Sequence, residues 1–431
     1  MSTRSFQPSH RQLLAPLDLD AVPAGSVRGP DAIVVPTARP AAHPRSGLAF
    51  AVRLAAATER PLVVLVSREA ATSPALRALG EAVLSAPGNT SPATVVLHLG
   101  ASPTTATRFD VDTLPISKAY RRGGLTDSGR ICVNDVGRKR NAALVLARCM
   151  GWRTVLFLDD DVFDGLDGHG RRIRPHARTL DPRTLAAAAA TVESGRHAAV
   201  GWTLRDFDDN SVVCRIRAQT GLEQEQFVGA GALLVDVEAD VPFFPAIYNE
   251  DWLFLLRLLT NGRRTPVLDG GDVHQDPYQG FTPVRAASEE VGDLIGEGLL
   301  SLLATGGSEA LRQTSAGFWR ATIQERMAMR EDLEGVVDRC GHEAWGEMRK
   351  ALDAVKAVHE FFLLEEDVWV AQIRTFMETW HRDLETWRRR LYRRTPPHPR
   401  AFLDGGEFVA SRTSVLGGCA TLGEFVGSFR G

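Results

Sequence analysis

The chain has 431 residues, of which 44% are hydrophobic, so it can bury a full core and exceeds one average domain. Its formal charge is −3 with both signs well mixed, which argues against nucleic acid as a main partner. The polar opening residues, the five widely spaced cysteines and the lack of an apolar run near ~20 residues predict a cytoplasmic protein without stable membrane insertion.

The first third of the chain is predicted to be α/β in the doubly wound manner. Residues 1–30 mix Pro, Gly, Ser and Arg without periodicity and are expected to form a poorly ordered or loosely docked N-terminal arm. Three Val-rich runs typical of buried parallel strands follow, AIVVP (32–36), LVVLVS (62–67) and TVVLHL (94–99). Ala- and Leu-rich stretches at 48–57 and 75–84 have the length of crossover helices.

The middle of the chain continues this alternation and predicts one sheet. A helix through RKRNAALVLARCM, capped by Asn134 or Asp135 and ended by Gly151, leads directly into the strand TVLFLDDDV. After it come a helix at 183–194, the strands HAAVGWTL, SVVCRIRA and FVGAGALLVD, the helix NEDWLFLLRLL and the strand TPVLD. We assign residues 31–283 to this α/β domain.

Beyond residue 283 the pattern changes to long helices, predicted at 286–304, 308–338, 342–363 and 364–394. They form a helical appendage over 284–395, with a surface for homodimerisation, and 396–431 is expected to be a weakly structured tail. The last long helix carries Trp380, Trp387 and Tyr392 among several arginines. Such a stripe suits an anionic membrane surface, but packing on the protein itself is the favoured interpretation.

Three carboxylates, Asp159, Asp160 and Asp161, directly follow the apolar run TVLFL. Like charges at the end of a buried strand repel, and a bound Mg²⁺ or Mn²⁺ is the simplest compensation. In open α/β sheets, ligands bind outside the carboxyl ends of strands, where this cluster is expected. The alternative interpretation is a solvated acidic turn.

Three cations, Arg138, Lys139 and Arg140, lie at the start of the helix that leads into the same strand. A helix amino end with cations favours phosphate oxygens. The alternative is that they are ordinary solvated helix residues. Their position in one helix–strand unit with the carboxylates predicts a site for a phosphorylated ligand.

This segment resembles the G…RN…A…G…FLDxD signature of family 2-type GT-A glycosyltransferases. The matching residues are Gly137, Asn141, Ala147, Gly151, Phe157, Leu158, Asp159 and Asp161. The segment IVVPTARP resembles the family's opening VVPTYNR, whose loop lies against the nucleotide base, through Pro36, Thr37 and Arg39. Ser67, between Val66 and Arg68, stands where the family usually carries an acidic cluster, and is assigned to the nucleotide.

The second half of the sheet carries three further matches. Gly229 and Gly231 resemble the glycines that let the donor sugar approach a strand backbone. Glu250 and Asp251 resemble the family's ED pair, whose aspartate is the general base for the acceptor hydroxyl; the alternative is a pair of acids favouring the helix dipole. His274, predicted in a Gly-bounded turn after a strand, resembles the histidine that completes the metal site; the alternative is a lone surface histidine.

The resemblance implies an α/β, Rossmann-like GT-A domain that moves a sugar from a nucleotide-diphosphate donor to an acceptor hydroxyl. UDP-sugars are the favoured donors, and small molecules, glycans or peptides the acceptors. Mn²⁺ or Mg²⁺ on Asp159, Asp161 and His274 would neutralise the diphosphate, with Asp160 beside the donor. Asp251 as base, next to Glu250, favours inversion, with a retaining GT-A enzyme as the alternative.

Two other classes stay open. A nucleotidyltransferase uses a related domain, although the loop PTARPAAHP after the first strand has no glycine before Gly47. A non-catalytic binding protein would use the appendage as its partner surface.

Overall fold

The structure is a computed structural model that describes residues 15–18, 29–37, 47–66, 79, 92–99, 136–163, 179–205, 213, 228–260, 268–275, 283–311, 314–340, 346–392, 396, 398–403 and 414–416. Several predictions lie outside these residues: the helix at 75–84 except Leu79, the strand SVVCRIRA except Val213, the cap at Asn134 or Asp135, and the site residues Arg39 and Ser67.

The described residues form ten strands and nine helices. The strands are β1 (Ala15–Pro16), β2 (Ala32–Thr37), β3 (Leu62–Val66), β4 (Thr94–His98), β5 (Thr154–Leu158), β6 (Val162–Phe163), β7 (Ala199–Arg205), β8 (Val228–Asp236), β9 (Leu268–Gln275) and β10 (Ser414–Leu416). The helices are α1 (Gly47–Thr58), α2 (Val136–Met150), α3 (Pro182–Glu193), α4 (Glu250–Thr260), α5 (Pro283–Ala310), α6 (Ala316–Cys340), α7 (Gly346–Leu364), α8 (Glu366–Tyr392) and α9 (Pro399–Leu403).

All ten strands belong to one sheet, as predicted, in the order β1-β9-β7-β8-β5-β2-β3-β4-β10 with β6 beside β9. The strands β4, β3, β2 and β5 are parallel. The chain leaves β2 for β3 on one side and later passes through α2 to β5 on the other, so β2 and β5 flank the topological switch point. A crevice outside the carboxyl ends of these two strands is where ligands bind in open α/β sheets.

Helices cover both faces of the sheet. Alternate residues of β2 point to opposite sides: Val34 packs in one apolar core with α2 and α4, and Ile33 in the other with α1 and α3. Burial on both faces explains why the parallel strands are continuous apolar runs rather than alternating patterns. Helix α3 starts at a capping box in which Asp181 accepts from the backbone N–H of Thr184.

The hydrophobic core continues from the sheet into the appendage. Trp319 of α6, Trp369 and Trp387 of α8 and Phe402 of α9 belong to the same apolar cluster as α2 and α4. A smaller cluster between α6 and α7 contains Leu333, Val337, Ala351, Leu352 and Val355. The helices beyond residue 283 are therefore packed on the α/β layer through a shared core.

The end of α8 docks on the segment that follows β8. The indole Nε1 of Trp387 donates to the carbonyl of Val241 at 3.0 Å, and the hydroxyl of Tyr392 donates to the carbonyl of Val237 at 2.7 Å. Trp380 and Trp387 are buried, so this stripe packs on the protein itself, the interpretation favoured from the sequence. None of the described helices has the length and apolarity needed to cross a bilayer.

The arm and the tail each contribute an edge strand that the sequence pattern did not predict. β1 pairs in parallel with β9, and the next residue, Leu17, is buried and donates its backbone N–H to the carbonyl of Asp269 at 2.8 Å. β10 pairs antiparallel with β4, placing Val415 opposite Val95. Strands of two or three residues are too short to show periodicity, which is why pattern alone misses them.

Candidate active site

Contacts between the ends of β2 and β5 join the two strands at the switch point. Thr37, the last residue of β2, donates its hydroxyl hydrogen bond to Oδ2 of Asp160, which follows β5. The ammonium of Lys139 on α2 donates to the carbonyl of Thr37 at 2.9 Å. All three side chains are buried. The structure therefore brings three predicted site residues together, and Lys139 is not the solvated helix residue of the alternative interpretation.

Pro36 lies where β2 separates from β5. β2 pairs with β5 only over Ala32–Val34, whereas its pairing with β3 continues to Thr37. Proline lacks a backbone N–H and is accommodated where ladder pairing on one side has ended. The two strands therefore diverge at their carboxyl ends, next to the contacts between Thr37 and Asp160.

Arg140 joins the end of β5 to the start of α4. Its Nη2 donates to Oδ1 of Asp159 at 2.7 Å, and its Nη1 donates to Oε1 of Glu250 at 2.8 Å. Arg140 is only 2% exposed. Burial alone would lower the pKa of Arg140, but Asp159, Glu250 and Asp251 outweigh it and the pKa is raised. Arg140 is thus a permanent buried cation between carboxylates.

Asn141 and Gly137 hold α2 against the segment that leads into α4. Nδ2 of Asn141 donates to the carbonyl of Phe244 at 2.8 Å, and its Oδ1 accepts from the N–H of Phe244 at 2.8 Å. A β-carbon on Gly137 would lie 3.3 Å from Cγ of Glu250. Asn141, a residue of the signature, therefore uses its amide to fix the backbone before α4.

The acid pair, Glu250 and Asp251, forms the first two residues of α4. Glu250 is buried and Asp251 is half-buried. Burial, followed by the neighbouring Asp251, raises the pKa of Glu250 to about 8. Burial also raises the pKa of Asp251, against the opposing effects of Arg140 and of a hydrogen bond from the N–H of Ala230. The two oxygens of Asp251 accept from the N–H groups of Ala230 and Trp252, each at 2.9 Å.

The two glycines of β8 face carboxylates. A β-carbon on Gly229 would lie 2.7 Å from Oδ2 of Asp251, and one on Gly231 would lie 3.4 Å from Oδ2 of Asp159. β8 runs antiparallel to β5, so its amino half reaches the same sheet edge as the carboxyl end of β5. The space that the resemblance gives to a donor sugar is thus shared with two acidic side chains.

His274 lies inside β9 and not in a turn after it, which corrects the sequence prediction. It pairs with Phe163 of β6, and the two rings stack with centroids 5.6 Å apart. The glycines that suggested a turn serve the strand: a β-carbon on Gly270 would lie 2.7 Å from the ring of Trp202, and Gly271 has a φ of 116°. The strand prediction TPVLD therefore ended too early.

Each of the aspartates 159–161 accepts a hydrogen bond within the protein, from Arg140, Thr37 and Gln275 respectively. The bond from Nε2 of Gln275 to Asp161 is 2.9 Å long. In the part of the chain that the structure describes, no three His, Cys, Asp or Glu side chains are grouped closely enough to hold a metal ion. Asp159, Asp161 and His274 thus do not form a three-ligand centre, and the crowded charges have protein partners.

The sequence analysis did not identify two residues that contact the aspartates after β5, Gly47 and Gln275. Gly47, the first residue of α1, donates its N–H to the carbonyl of Asp160 at 2.9 Å, and a β-carbon there would lie 2.6 Å from the carbonyl carbon of Asp160. A glycine directly before an apolar helix is the signal that could have indicated this close approach. Gln275, the partner of Asp161, gave no local signal.

No family model matches this chain, and no curated protein matches it at a significant level.

Proposed function

We propose that the chain is a glycosyltransferase that uses a nucleotide-diphosphate sugar, with UDP-sugars as the favoured donors. The observation that carries the proposal is the Arg140 bridge: one buried guanidinium links Asp159, at the carboxyl end of β5, to Glu250, beside the candidate base Asp251. The bridge stands at the topological switch point, where open α/β sheets bind their ligands. Asp159, which we assign to the donor side, and Glu250, which lies beside the base for the acceptor, are thereby held by the same side chain.

The donor diphosphate is assigned to the amino end of α2. The first N–H groups of a helix have no partner within the helix and carry partial positive charge, which favours phosphate oxygens. Arg138, half-buried in the first turn, adds a formal cation there. These groups stabilise the negative charge that develops on the leaving nucleoside diphosphate.

Asp251 is assigned as the general base. It accepts the proton of an acceptor hydroxyl as that oxygen attacks the anomeric carbon, and the bonding electrons of the sugar–phosphate bond leave with the nucleoside diphosphate. Two backbone N–H bonds to its oxygens favour the ionised form, and its side chain is less buried than that of Glu250.

Glu250 shares the buried environment of this base. Burial and the neighbouring Asp251 raise the pKa of Glu250 to about 8, and burial also raises the pKa of Asp251, so the acid pair holds protons more tightly than two solvated carboxyl groups. A base with raised proton affinity is better matched to the proton of an acceptor hydroxyl. Attack on the face opposite the leaving group inverts the configuration of the sugar.

The sequence also predicts a dependence on Mn²⁺ or Mg²⁺. The described side chains do not assemble a three-ligand centre. A divalent cation would therefore bind together with the donor diphosphate, where it would neutralise phosphate charge, and activity should be higher with Mn²⁺ than with EDTA.

The test is a screen of the full chain against UDP-, GDP- and dTDP-sugars with Mn²⁺, with Mg²⁺ or with EDTA. We expect one nucleotide to raise the melting temperature and its sugar donor to be slowly hydrolysed, with Mn²⁺ faster than EDTA. D251N should keep nucleotide binding and lose hydrolysis by about 10²- to 10⁴-fold. The control D353N changes an exposed aspartate of α7 and should match the wild type.

Other outcomes decide between the alternatives. Pyrophosphate release from a nucleoside triphosphate and a sugar phosphate would indicate a nucleotidyltransferase. No melting-temperature shift and no hydrolysis across the whole panel would refute catalysis and favour a binding protein. NMR of the product anomer separates inversion from retention.

A further inference from the structure

The appendage contains a buried ion cluster centred on Arg326 of α6. Its guanidinium donates to three carboxylates of α5: Glu290 at 2.6 and 3.0 Å, Asp293 at 3.1 Å, and Glu297. The four residues are at most 3% exposed. The cluster is therefore fully enclosed between α5 and α6.

A third helix joins the cluster through His359 of α7, whose Nε2 lies 2.6 Å from Oε1 of Glu290. Burial opposes ionisation of Glu290, yet Arg326 and then His359 lower its pKa to about 2. Removing several charges from water is costly, and apolar residues of similar volume often pack as stably. Stability alone therefore does not explain why charged residues occupy this place between the three helices.

The cluster reaches the candidate active site through Asp293. While one oxygen of Asp293 accepts from Arg326, its Oδ1 accepts from Nδ2 of Asn249 at 2.8 Å. Asn249 directly precedes the acid pair and has a φ of 61°, in the left-handed region. Its carbonyl accepts from the N–H groups of Trp252 and Leu253, at 3.1 and 3.3 Å, so this residue sets the first turn of α4.

Close packing on both sides of Asp293 fixes the same turn. A β-carbon on Gly292 would lie 2.3 Å from the carbonyl oxygen of Tyr248, and one on Gly296 would lie 3.0 Å from the ring of Trp252. α5 thus rests directly on the backbone of Tyr248, before Asn249, and on the ring of Trp252, after it. Asparagine is one of the few non-glycine residues that adopt the left-handed region, and the hydrogen bond to Asp293 together with this packing holds Asn249 there.

We propose that Asp293 is a positioning residue for the acid pair: held by Arg326, it clamps Asn249 in its left-handed conformation and so aims the carboxylate of Asp251. This proposal rests on the proposed function, because positioning matters only where Asp251 acts as base. It makes the appendage a part of the catalytic apparatus, not a separate partner module.

The test compares three variants of the full chain. Asp293→Ala removes the acceptor of Asn249 and one partner of Arg326, and we expect kcat for donor turnover to fall about 10- to 100-fold with little change in the donor KM. Asp293→Asn retains a carbonyl oxygen for Asn249 and should restore most of kcat. Glu297→Ala also removes one partner of Arg326 but has no contact with Asn249, so it should lower the melting temperature and leave kcat unchanged.

A second readout does not depend on activity. The N–H of Ala230 donates to Asp251, so its amide shift, observed with ¹⁵N-alanine and assigned with Ala230→Gly, reports the position of that carboxylate. Asp293→Ala should move this resonance, and Glu297→Ala should not. If Asp293→Ala and Glu297→Ala behave alike in both readouts, the positioning role is refuted. If the wild type turns over no donor but the resonance still distinguishes the variants, the positioning stands and the glycosyltransferase assignment fails.

Discussion

Gly229 and Asp251 lie so close together that a β-carbon on the glycine would stand 2.7 Å from Oδ2 of the aspartate. The same oxygen accepts a hydrogen bond from the N–H of the next residue, Ala230. The backbone of β8 is therefore the surface on which the candidate base rests, and any side chain at position 229 displaces the carboxylate.

Replacing Gly229 with alanine tests this relationship. Because the new methyl group would lie only 2.7 Å from Oδ2, Asp251 must shift, and we expect kcat for sugar transfer or donor hydrolysis to fall about 100-fold. Both kcat and nucleotide affinity are measured. Nucleotide affinity should change little, which would place the defect at the base and not at the donor-binding groups. The matched control is Gly346→Ala, where a β-carbon meets nothing within 4 Å. Equal activity of both variants would contradict the placement of Asp251.

Glu250 should make the stability of the protein depend on pH. Its pKa is raised from 4.5 to about 8, so between these values the folded state holds a proton that the unfolded state releases. The free energy of unfolding should therefore fall as pH rises through this range, by at most about 1.4 kcal/mol per pH unit for this group. Below the lower value the proton is bound in both states, and above the upper value it is lost from both.

Denaturant unfolding of the wild type and E250Q at a series of pH values measures this effect. Glutamine keeps an oxygen for Arg140 but cannot ionise. In E250Q the free energy of unfolding should therefore fall less steeply with pH between about pH 4.5 and 8. E360Q, at an exposed position on α7, is the control and should follow the wild type. A slope unchanged in E250Q would show that Glu250 is ionised throughout.

Thr37→Val should weaken the switch point. The variant keeps the shape of the side chain but removes the hydroxyl that donates to the buried Asp160, and we expect a loss of about 1–3 kcal/mol in unfolding free energy. Thr191→Val, which removes a hydroxyl bonded only to a carbonyl within α3, should cost less than about 0.5 kcal/mol. Denaturant unfolding compares the two, and a similar loss in both would show that Thr37 has no special role.

Much of the fold follows from local pattern. The run AIVVP became β2 and the run VGAGALLVD became β8, because buried strands need unbroken apolar sequence. The helix predicted at 364–394 matches α8, Glu366–Tyr392, because a helical apolar spacing repeated over many turns is a strong signal. Local pattern also placed Asp159 at the end of a strand and Asp251 at the start of a helix.

What local pattern did not predict is how the charges are compensated. Crowded aspartates after β5 suggested a metal ion, but the sequence alone could not show that Thr37, 123 positions away from Asp160, would supply a hydroxyl. Likewise Gln275 is 114 positions from Asp161. Such partners are fixed by the topology of the sheet and by register, which short-range periodicity does not encode.

The two outermost strands of the sheet come from opposite ends of the described chain, β1 beside β9 and β10 beside β4. Until residues 414–416 have left the ribosome, β4 exposes a row of unsatisfied N–H and C=O groups that can pair with another nascent copy. Chains shortened before this point should be more prone to aggregate during synthesis even though their core is already in place.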